Sequence, residues 1–244
     1  MTDSPPITVL AVDDDPLVLA AYRLYFSARR DLTLVGEAAT GSEAVALFAR
    51  VRPRVVLMDL QLPDISGVEA TRRICSRSPD ACVLAITTFG TREFVVAALR
   101  AGAAGYLLKD LGAQQLAAGI IQAVRGDMPL ASSVRRELVA ALGAEREAMD
   151  SKTVQLTSRE QEVLQGLLNG QSNRQMSQSM FVSEGSIKQY LAAIGSKFGV
   201  SSRTQILVRA IQLRFVDPAP LEWSVTGRMA SSGAYPWSHR GARN

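Results

Sequence analysis

The first 125 residues alternate short β-branched and apolar runs with longer amphipathic stretches. The predicted strands are Thr8–Val12, Leu32–Glu37, Val55–Met58, Ala81–Thr87 and Gly105–Leu108. The predicted helices lie between and after them, at residues 16–29, 42–51, 67–77, 91–101 and 113–125. This alternation is typical of βα units, which build one parallel sheet with helices on both faces. We therefore predict an α/β domain with a doubly wound, five-stranded parallel sheet over residues 7–125.

The second half of the chain has a different pattern, because residues 157–215 contain only short helical segments and no strand pattern. We predict a small all-α domain at residues 153–216. The polar residues 126–152 predict a linker that is partly helical. Residues 217–244 are rich in Pro, Gly and Ser without periodicity, so we predict a disordered tail. Residues 1–6 form an N-terminal extension.

Composition excludes several classes of protein. No uncharged apolar run reaches the roughly 18 residues of a membrane span, and residues 1–6 lack the features of a secretory signal. His239 is the only histidine, which argues against a Ser-His-Asp triad, a Cys-His dyad and a histidine metal site. Cys75 and Cys82 are too few for a disulfide scaffold and fit a reducing compartment. We expect a cytoplasmic protein that does not contact a membrane.

Polar side chains follow the predicted strands at their carboxyl ends, where parallel sheets form their sites. Asp13 and Asp14 follow the first strand, Asp59 the third, and Lys109 the fifth, while Thr87 ends the fourth. Clustered carboxylates need a cation, and oxygen ligands suit Mg²⁺. A carboxylate beside Mg²⁺ can accept a phosphoryl group as an acyl phosphate, with an ammonium neutralising the charge that develops.

Each of these residues also has a purely structural interpretation. Asp15 before Pro16 is a good helix N-cap with proline at the first helical position, so the acidic run could simply start a helix. Thr87 could be an ordinary strand residue, and Lys109 a solvated lysine at a strand end. Their occurrence at successive strand ends favours a common site over three separate structural roles.

Four strings in this half resemble the receiver domain of bacterial response regulators, a flavodoxin-like fold. The strings are Val-Asp-Asp-Asp-Pro (12–16), Met-Asp-Leu-Gln-Leu-Pro-Asp-Ile-Ser-Gly (58–67), Thr-Thr-Phe (87–89) and Gly-Tyr-Leu-Leu-Lys-Asp (105–110). Ser66 stands where the family usually has an acidic residue or Asn, and Leu62 stands where Met is commoner. Neither departure removes a chemical group from the pocket, so we expect a competent receiver.

The resemblance implies a role for each pocket residue. Asp59 would be the phosphoacceptor, and Lys109 would pair with the phosphoryl group. Mg²⁺ would be held by Asp13, Asp14, Asp59 and the backbone carbonyl of Gln61. Thr87 and Tyr106 would form the conformational switch: the Thr87 hydroxyl moves toward the phosphate and the Tyr106 ring turns inward.

The all-α half has the pattern of a helix-turn-helix. Capping boxes open at Thr157 and Ser172, and a turn at residues 182–184 leads into a helix. That helix has a core stripe of Ile187, Leu191, Ile194 and Phe198. Its other face is small, polar and basic, with Lys188, Gln189, Ala192, Ala193, Ser196 and Lys197. Such a face suits a DNA groove, although a small helical bundle with a solvated face would show the same spacing.

Charge agrees with this interpretation. Residues 1–125 carry 13 Lys and Arg against 13 Asp and Glu, whereas residues 153–244 carry 10 against 5. A basic second half suits a polyanion such as DNA, although charge alone is a weak argument.

The second half also resembles the LuxR-type helix-turn-helix, and the pairing of the two domains is that of the NarL/FixJ family of response regulators. The strings are Leu-Thr-Ser-Arg-Glu-Gln-Glu-Val-Leu (156–164), Gly-Gln-Ser-Asn-Arg-Gln-Met (170–176), Phe-Val-Ser-Glu-Gly-Ser-Ile-Lys (181–188) and Lys-Phe-Gly-Val-Ser-Ser-Arg (197–203). In that family, the helix at about residues 184–198 enters the major groove. The implied DNA contacts are Arg174, Ser186, Lys188, Gln189, Ala192 and Lys197.

Three departures lie on or near this helix. Gln189 and Tyr190 stand where the family commonly has Asn and His, and Tyr190 could be a packing residue. Gly195 replaces a larger residue and weakens a helix by about 1 kcal/mol relative to Ala. The last helix, at residues 202–215, resembles the family's dimer helix through Ile206, Leu207, Ala210 and Ile211, although ordinary core packing would use the same residues.

Together the resemblances imply a transcription regulator of a two-component phosphorelay, not an enzyme with a substrate of its own. The implied partners are a sensor histidine kinase, promoter DNA and a second copy of the chain, with RNA polymerase as a candidate further partner. A phosphatase with an aspartyl-phosphate intermediate is a weaker alternative, because such enzymes carry a second Asp two residues after the nucleophile and this chain has Gln61 there. A DNA-binding protein that works without phosphorylation is the other alternative.

Overall fold

The computed structural model describes residues 5–88, 92–129, 154–213 and 215. Most of the predicted linker at 126–152, all of the predicted tail at 217–244 and residues 1–4 lie outside these ranges. The predicted domain boundaries therefore stay predictions.

All five predicted strands form, with bounds that differ from the prediction by at most two residues. They are β1 (Ile7–Val12), β2 (Leu32–Ala38), β3 (Val55–Asp59), β4 (Val83–Thr87) and β5 (Gly105–Leu108). They form one sheet in the order β2-β1-β3-β4-β5, and every neighbouring pair is parallel. This is the flavodoxin-like order of a doubly wound fold, so the predicted fold class is confirmed.

Helices cover both faces of this sheet, which explains why every residue of β3 and β4 is buried. The helices of this domain are α1 (Pro16–Ser27), α2 (Gly41–Val51), α3 (Gly67–Arg77), α4 (Arg92–Arg100) and α5 (Ala113–Val124). Alternate strand residues point to opposite faces. Val9 and Leu57 pack with Phe26 and Ile120 on one face, and Met58 packs on the other.

The second half is all-helical in the described residues, as predicted. Its helices are α6 (Ser158–Leu168), α7 (Asn173–Ser179), α8 (Glu184–Phe198) and α9 (Arg203–Gln212). Thr157 and Ser172 open α6 and α7 with the predicted capping boxes, and Ser183 caps α8. None of the helices in the described parts of the chain has the length and apolarity that a membrane crossing requires.

The two halves contact each other through α4 and α9. One hydrophobic cluster contains buried residues of both, including Val95 and Leu99 of α4 and Ile206 and Val208 of α9. The receiver-side core and the core of the helical half therefore meet at this contact.

Candidate functional site

The predicted polar residues meet at the carboxyl edge of the sheet. Asp13 lies directly after β1, Asp59 ends β3 and Thr87 ends β4. Lys109 follows β5, and its backbone N–H donates to the carbonyl oxygen of Thr87 at 2.8 Å. The strand order places β1, β3, β4 and β5 side by side, so residues far apart in the chain share one pocket.

The Lys109 ammonium bridges two buried carboxylates. Its Nζ lies 2.6 Å from Oδ2 of Asp13 and 2.8 Å from Oδ2 of Asp59. Asp13 is 1% exposed and Asp59 is 4% exposed, so water screens this cluster little. Burial raises the pKa of Asp13, although Lys109 and the backbone N–H of Asp15 donate to it. Burial alone would lower the pKa of Lys109, but its bonds to Asp13 and Asp59 outweigh that effect and raise it.

The donor set fits a hard divalent cation. Asp13, Asp14 and Asp59 each offer a carboxylate oxygen, and these oxygens lie within 4.8 Å of one another. Asp14 is exposed, so the cluster is open to solvent on that side. Carboxylates together with water ligands are what Mg²⁺ prefers. The backbone N–H of Gln61 donates to Oδ1 of Asp59 at 3.2 Å, which keeps Gln61 near the cluster; its predicted carbonyl contact to Mg²⁺ stays a prediction.

Gly67 allows the chain to pass directly behind Asp59. A Cβ on Gly67 would lie 1.8 Å from the backbone oxygen of Asp59. This distance is far too short for any side chain, so the position requires glycine. Ser66 caps α3 by accepting from the backbone N–H of Glu69 at 3.2 Å. Although Ser66 departs from the family pattern, it still caps the helix that begins behind the pocket.

Asp15 is the N-cap of α1, which is the structural role that its position before Pro16 suggested. Its Oδ1 accepts from the backbone N–H of Leu17 at 2.8 Å, and Pro16 is the first residue of α1. Asp13 and Asp14 instead belong to the acidic cluster. Of the three consecutive aspartates, Asp15 caps a helix, while Asp13 and Asp14 are candidate metal ligands.

The two predicted switch residues are both buried. Thr87 and Tyr106 lie at neighbouring strands, where Ala85 pairs with Tyr106 and Thr87 pairs with Leu108. The Tyr106 ring packs in the cluster that includes Leu60 and Leu99. Its backbone N–H donates to the carbonyl oxygen of Pro129 at 3.1 Å. The ring is therefore in an inward position in this structure, and its predicted movement stays a prediction.

The helix α8 has the two faces that its spacing predicts. Ile187, Leu191, Ile194 and Phe198 are buried, while the opposite face with Lys188, Gln189, Ala192, Ala193 and Ser196 is exposed. Arg174 of α7 is exposed as well. Tyr190 is partly buried against the core, which agrees with a packing role. The exposed face could therefore reach DNA without unfolding any part of the domain.

Two of the predicted DNA contacts have partners within the protein. Lys197 Nζ lies 2.7 Å from Oε2 of the buried Glu160 and 3.1 Å from the carbonyl oxygen of Gln155. Ser186 Oγ lies 2.9 Å from Oγ of Ser183. A phosphate contact by Lys197 would have to compete with the Glu160 ion pair. The capping box had indicated Glu160 as a cap, but nothing in the local sequence indicated its pairing with Lys197.

An α/β domain with an aspartate–lysine pocket, followed by a helix-turn-helix, defines the class of two-domain transcription regulators. Residues 9–121 match the family model of the response regulator receiver domain, and residues 154–210 match that of bacterial regulatory proteins of the luxR family. A LuxR-family response regulator structure from Aurantimonas sp. SI85-9A1 matches with a TM-score of 0.51 at 31% identity, covering 56% of this chain and 97% of that one.

Curated relatives match along most of their length. The uncharacterized transcriptional regulatory protein YxjL of Bacillus subtilis is 36% identical over 208 residues, which are 84% of this chain and 95% of YxjL. The nitrate/nitrite response regulator protein NarL of Escherichia coli is 30% identical over 214 residues, which are 88% of this chain and 99% of NarL. The chain therefore belongs to the NarL/FixJ-type, DNA-binding response regulators of two-component systems. This is a family of regulators and not of classical enzymes.

Proposed function

We propose that Asp59 accepts a phosphoryl group from the phosphohistidine of a sensor histidine kinase. A carboxylate oxygen of Asp59 forms the new bond to phosphorus while the P–N bond to the imidazole breaks, and the imidazole takes up a proton. The Lys109 ammonium, 2.8 Å from Oδ2 of Asp59, would balance charge on the phosphoryl oxygens. The chain would thus catalyse only its own phosphorylation and dephosphorylation.

Mg²⁺ is the cofactor that the acidic cluster supports, with Asp13, Asp14, Asp59 and the backbone carbonyl of Gln61 as its ligands. When bound, the ion neutralises negative charge on the phosphoryl oxygens. The protein's own contribution is to keep three carboxylates within 4.8 Å of one another on rigid strand ends. Asp13 and Asp59 would share their oxygens between the ion and Lys109.

Phosphorylation would act on transcription through the Thr87–Tyr106 switch. We propose that the altered receiver favours a homodimer, which binds two half-sites of promoter DNA in the cytoplasm. Lys188 and Gln189 would lie in the major groove, with Arg174, Ser186, Ala192 and Lys197 as further contacts. RNA polymerase is a candidate partner of the bound dimer. The exposure of the Lys188 face of α8 supports this proposal.

The observation that carries the proposal is the Asp13–Asp59–Lys109 cluster at the ends of three strands. Asp59→Asn should abolish phosphate incorporation from acetyl phosphate with Mg²⁺, because the amide oxygen is a much poorer nucleophile than a carboxylate. Incorporation is measured by intact-protein mass spectrometry. Asp110→Asn is the matched control, since Asp110 is an exposed carboxylate next to Lys109. Undiminished incorporation in Asp59→Asn would contradict the assignment.

A further inference from the structure

We infer that the receiver contributes a second surface for the phosphate backbone of DNA, at the edge of the sheet opposite the phosphoacceptor pocket. In a parallel sheet all strands begin at one edge, and the helices that precede them end there. The helix ends and connections that lead into β2, β3 and β4 are residues 28–31, 50–54 and 77–82. They carry six arginines and only two acidic residues, Asp31 and Asp80. The inference goes beyond the proposed function, which places all DNA contacts in the helical half.

Five of these arginines are exposed and form no ion pair among the described residues. We call them the arginine edge, and they are Arg30, Arg50, Arg52, Arg54 and Arg77. The sixth, Arg29, pairs with Asp31 at 2.6 Å, so that acid is already neutralised. Set against the exposed Asp80, the arginine edge has an excess of four positive charges, although residues 1–125 as a whole are neutral.

The sheet places these arginines side by side. Arg54 immediately precedes β3, and its backbone N–H donates to Oγ1 of Thr8 on β1 at 2.9 Å. On the other side of β1, the backbone N–H of Ile7 donates to the carbonyl oxygen of Asp31 at 2.9 Å. Arg77 ends the helix that connects β3 to its neighbour β4. Because neighbouring strands lie about 4.8 Å apart, the arginine edge from β2 to β4 is about 14 Å wide.

The stability of the helices explains only part of the arginine edge. Arg50 and Arg77 lie in the last turns of α2 and α3, where a cation stabilises the negative end of the helix dipole. Arg30 and Arg54 lie in the connections, outside any helix. Arg52 follows α2 with a φ of 43°, a left-handed conformation that glycine or asparagine adopts more easily. Three of the five positive charges therefore lie where helix stability does not require them.

The arginine edge adjoins the helical half of the chain at the carboxyl end of α8. Ser201 Oγ donates to the carbonyl oxygen of Pro79 at 3.1 Å. Ser201 lies two residues after Gly199, which caps α8, and Pro79 lies two residues after Arg77. The exposed face of α8 that we propose contacts DNA reaches this end of the helix with Ser196. The DNA face of α8 and the arginine edge are thus neighbours in this structure.

DNA is the polyanion that the helical half brings to this edge. The helix α8 has 15 residues and is about 22 Å long, whereas one turn of a duplex is about 34 Å long. The strands that border a major groove holding α8 therefore pass its carboxyl end. About four phosphates of one strand fit a width of about 14 Å, and guanidinium groups bind phosphate in bidentate geometry. Once the helical half is bound, effective concentration lets even a weak second contact add to the affinity.

The arginine edge is remote from the phosphoacceptor. Arg54 precedes β3 and Asp59 ends it, so a fully extended strand separates them by about 17 Å. This distance exceeds the Debye length of about 10 Å at 0.1 M salt. A phosphoryl group on Asp59 would therefore change the potential at the arginine edge little. The contribution of this surface to DNA binding should be the same in the phosphorylated and the unphosphorylated protein.

The test uses the full-length, unphosphorylated protein and a fluorescein-labelled duplex of mixed sequence. Arg54→Gln/Arg77→Gln removes two charges of the arginine edge on the side of β3 and β4. Each phosphate contact contributes about 0.9 to the slope of log affinity against log salt. The slope should therefore fall by about one to two, and the affinity at about 0.1 M salt by about tenfold or more. Fluorescence anisotropy across a salt series measures both, and circular dichroism checks that each variant is folded.

Arg72→Gln/Arg73→Gln is the matched control, because it removes the same number of charges from the same domain. Both residues are exposed on α3, and both pair with Glu69. This variant should reduce the slope by less than about 0.5. An equal reduction in the two double variants would mean that the total charge of the receiver acts and not the arginine edge, which would overturn the inference.

Lys188→Ala tests whether both surfaces contact one duplex at the same time. Its effect on the slope should add to that of Arg54→Gln/Arg77→Gln, because the two sites are distant and independent. A triple variant with the slope of Lys188→Ala alone would contradict the inference. An unchanged DNA slope in Arg54→Gln/Arg77→Gln, together with lost binding to phosphatidylserine vesicles, would overturn it and assign the arginines to a lipid surface. Failure of phosphate uptake at Asp59 would leave all these measurements unaffected, since no phosphoryl group takes part in them.

Discussion

Gly195 shows how a residue that departs from a family pattern can be required by local packing. On propensity alone, a glycine inside α8 is unfavourable by about 1 kcal/mol relative to Ala. In the structure Gly195 is buried, and a Cβ there would lie 2.6 Å from the backbone oxygen of Val200. The chain after α8 turns back so closely that the backbone N–H of Val200 donates to the Gly195 carbonyl at 2.9 Å.

Gly195→Ala should therefore destabilise the protein by about 1–3 kcal/mol, because the clash is with backbone that cannot rotate away. Gly185→Ala is the matched control: it lies on the same helix, and its Cβ would meet only Ser183 Oγ at 3.5 Å. That variant should be neutral or slightly stabilised. Urea unfolding of both variants measures the difference, and equal stability would contradict the packing argument.

The two lysines of α8 should respond differently to substitution. Lys188 is exposed, with no ion pair among the described residues, whereas Lys197 is paired with Glu160. Lys188→Ala should weaken DNA binding and reduce the slope of log affinity against log salt by about one. Lys197→Ala should in addition reduce stability, because the buried Glu160 carboxylate loses its partner. Fluorescence anisotropy with labelled duplex across a salt series separates them, and an unchanged slope for Lys188→Ala would count against a phosphate contact.

At the scale of elements, the Glu160–Lys197 pair connects the first turn of α6 to the last turn of α8. Glu160 also accepts from the backbone N–H of Thr157 at 2.6 Å, so one carboxylate caps α6 and holds α8. Burial would raise the pKa of Glu160, but its bonds to Lys197 and Thr157 outweigh it and lower the pKa below 4.5. A lowered folded-state pKa stabilises the protein above the unfolded value, and this contribution is lost as pH falls through the folded one.

Glu160→Gln should therefore cost about 1–3 kcal/mol at neutral pH, and the difference from the wild type should shrink as the pH falls below about 4.5. Glu162→Gln provides the control, because Glu162 forms an exposed pair with Arg159 within α6. Such surface pairs contribute about 0–1 kcal/mol. Denaturant unfolding at several pH values gives both comparisons; a pH-independent difference for Glu160→Gln would contradict the role of the ion pair.

Elements with strong local signals were predictable from the sequence. The capping boxes at Thr157 and Ser172 and the Asp15 cap all occur as expected, because each depends on residues within four positions. The pocket was predictable because parallel strands bring their carboxyl ends together. The Lys197 partner and the contact of Thr204 with Ala104 were not, because residues 37 and 100 positions apart in the chain meet there.

At the scale of the whole molecule, a neutral receiver is joined to a basic helical domain, and the two have different partners. The receiver is neutral as a whole, but its pocket is not, because one ammonium contacts two carboxylates and cannot cancel the charge of both. A phosphoryl group would add about two negative charges there. The bonds of Lys109 to Asp13 and Asp59 would then have to redistribute, and the strand ends that carry these residues adjoin Thr87 and Tyr106.

Beryllofluoride, a phosphoryl mimic, should therefore change the whole molecule when Mg²⁺ is present. We expect it to shift the wild type from monomer toward dimer and to tighten binding to a promoter fragment selected from random DNA by at least tenfold. Light scattering and anisotropy measure the two effects. Asp59→Asn should show neither, whereas Asp110→Asn should behave like the wild type. Equal DNA affinity with and without beryllofluoride would favour the alternative of a regulator that works without phosphorylation, since the domain would then bind DNA whatever the charge in the receiver pocket.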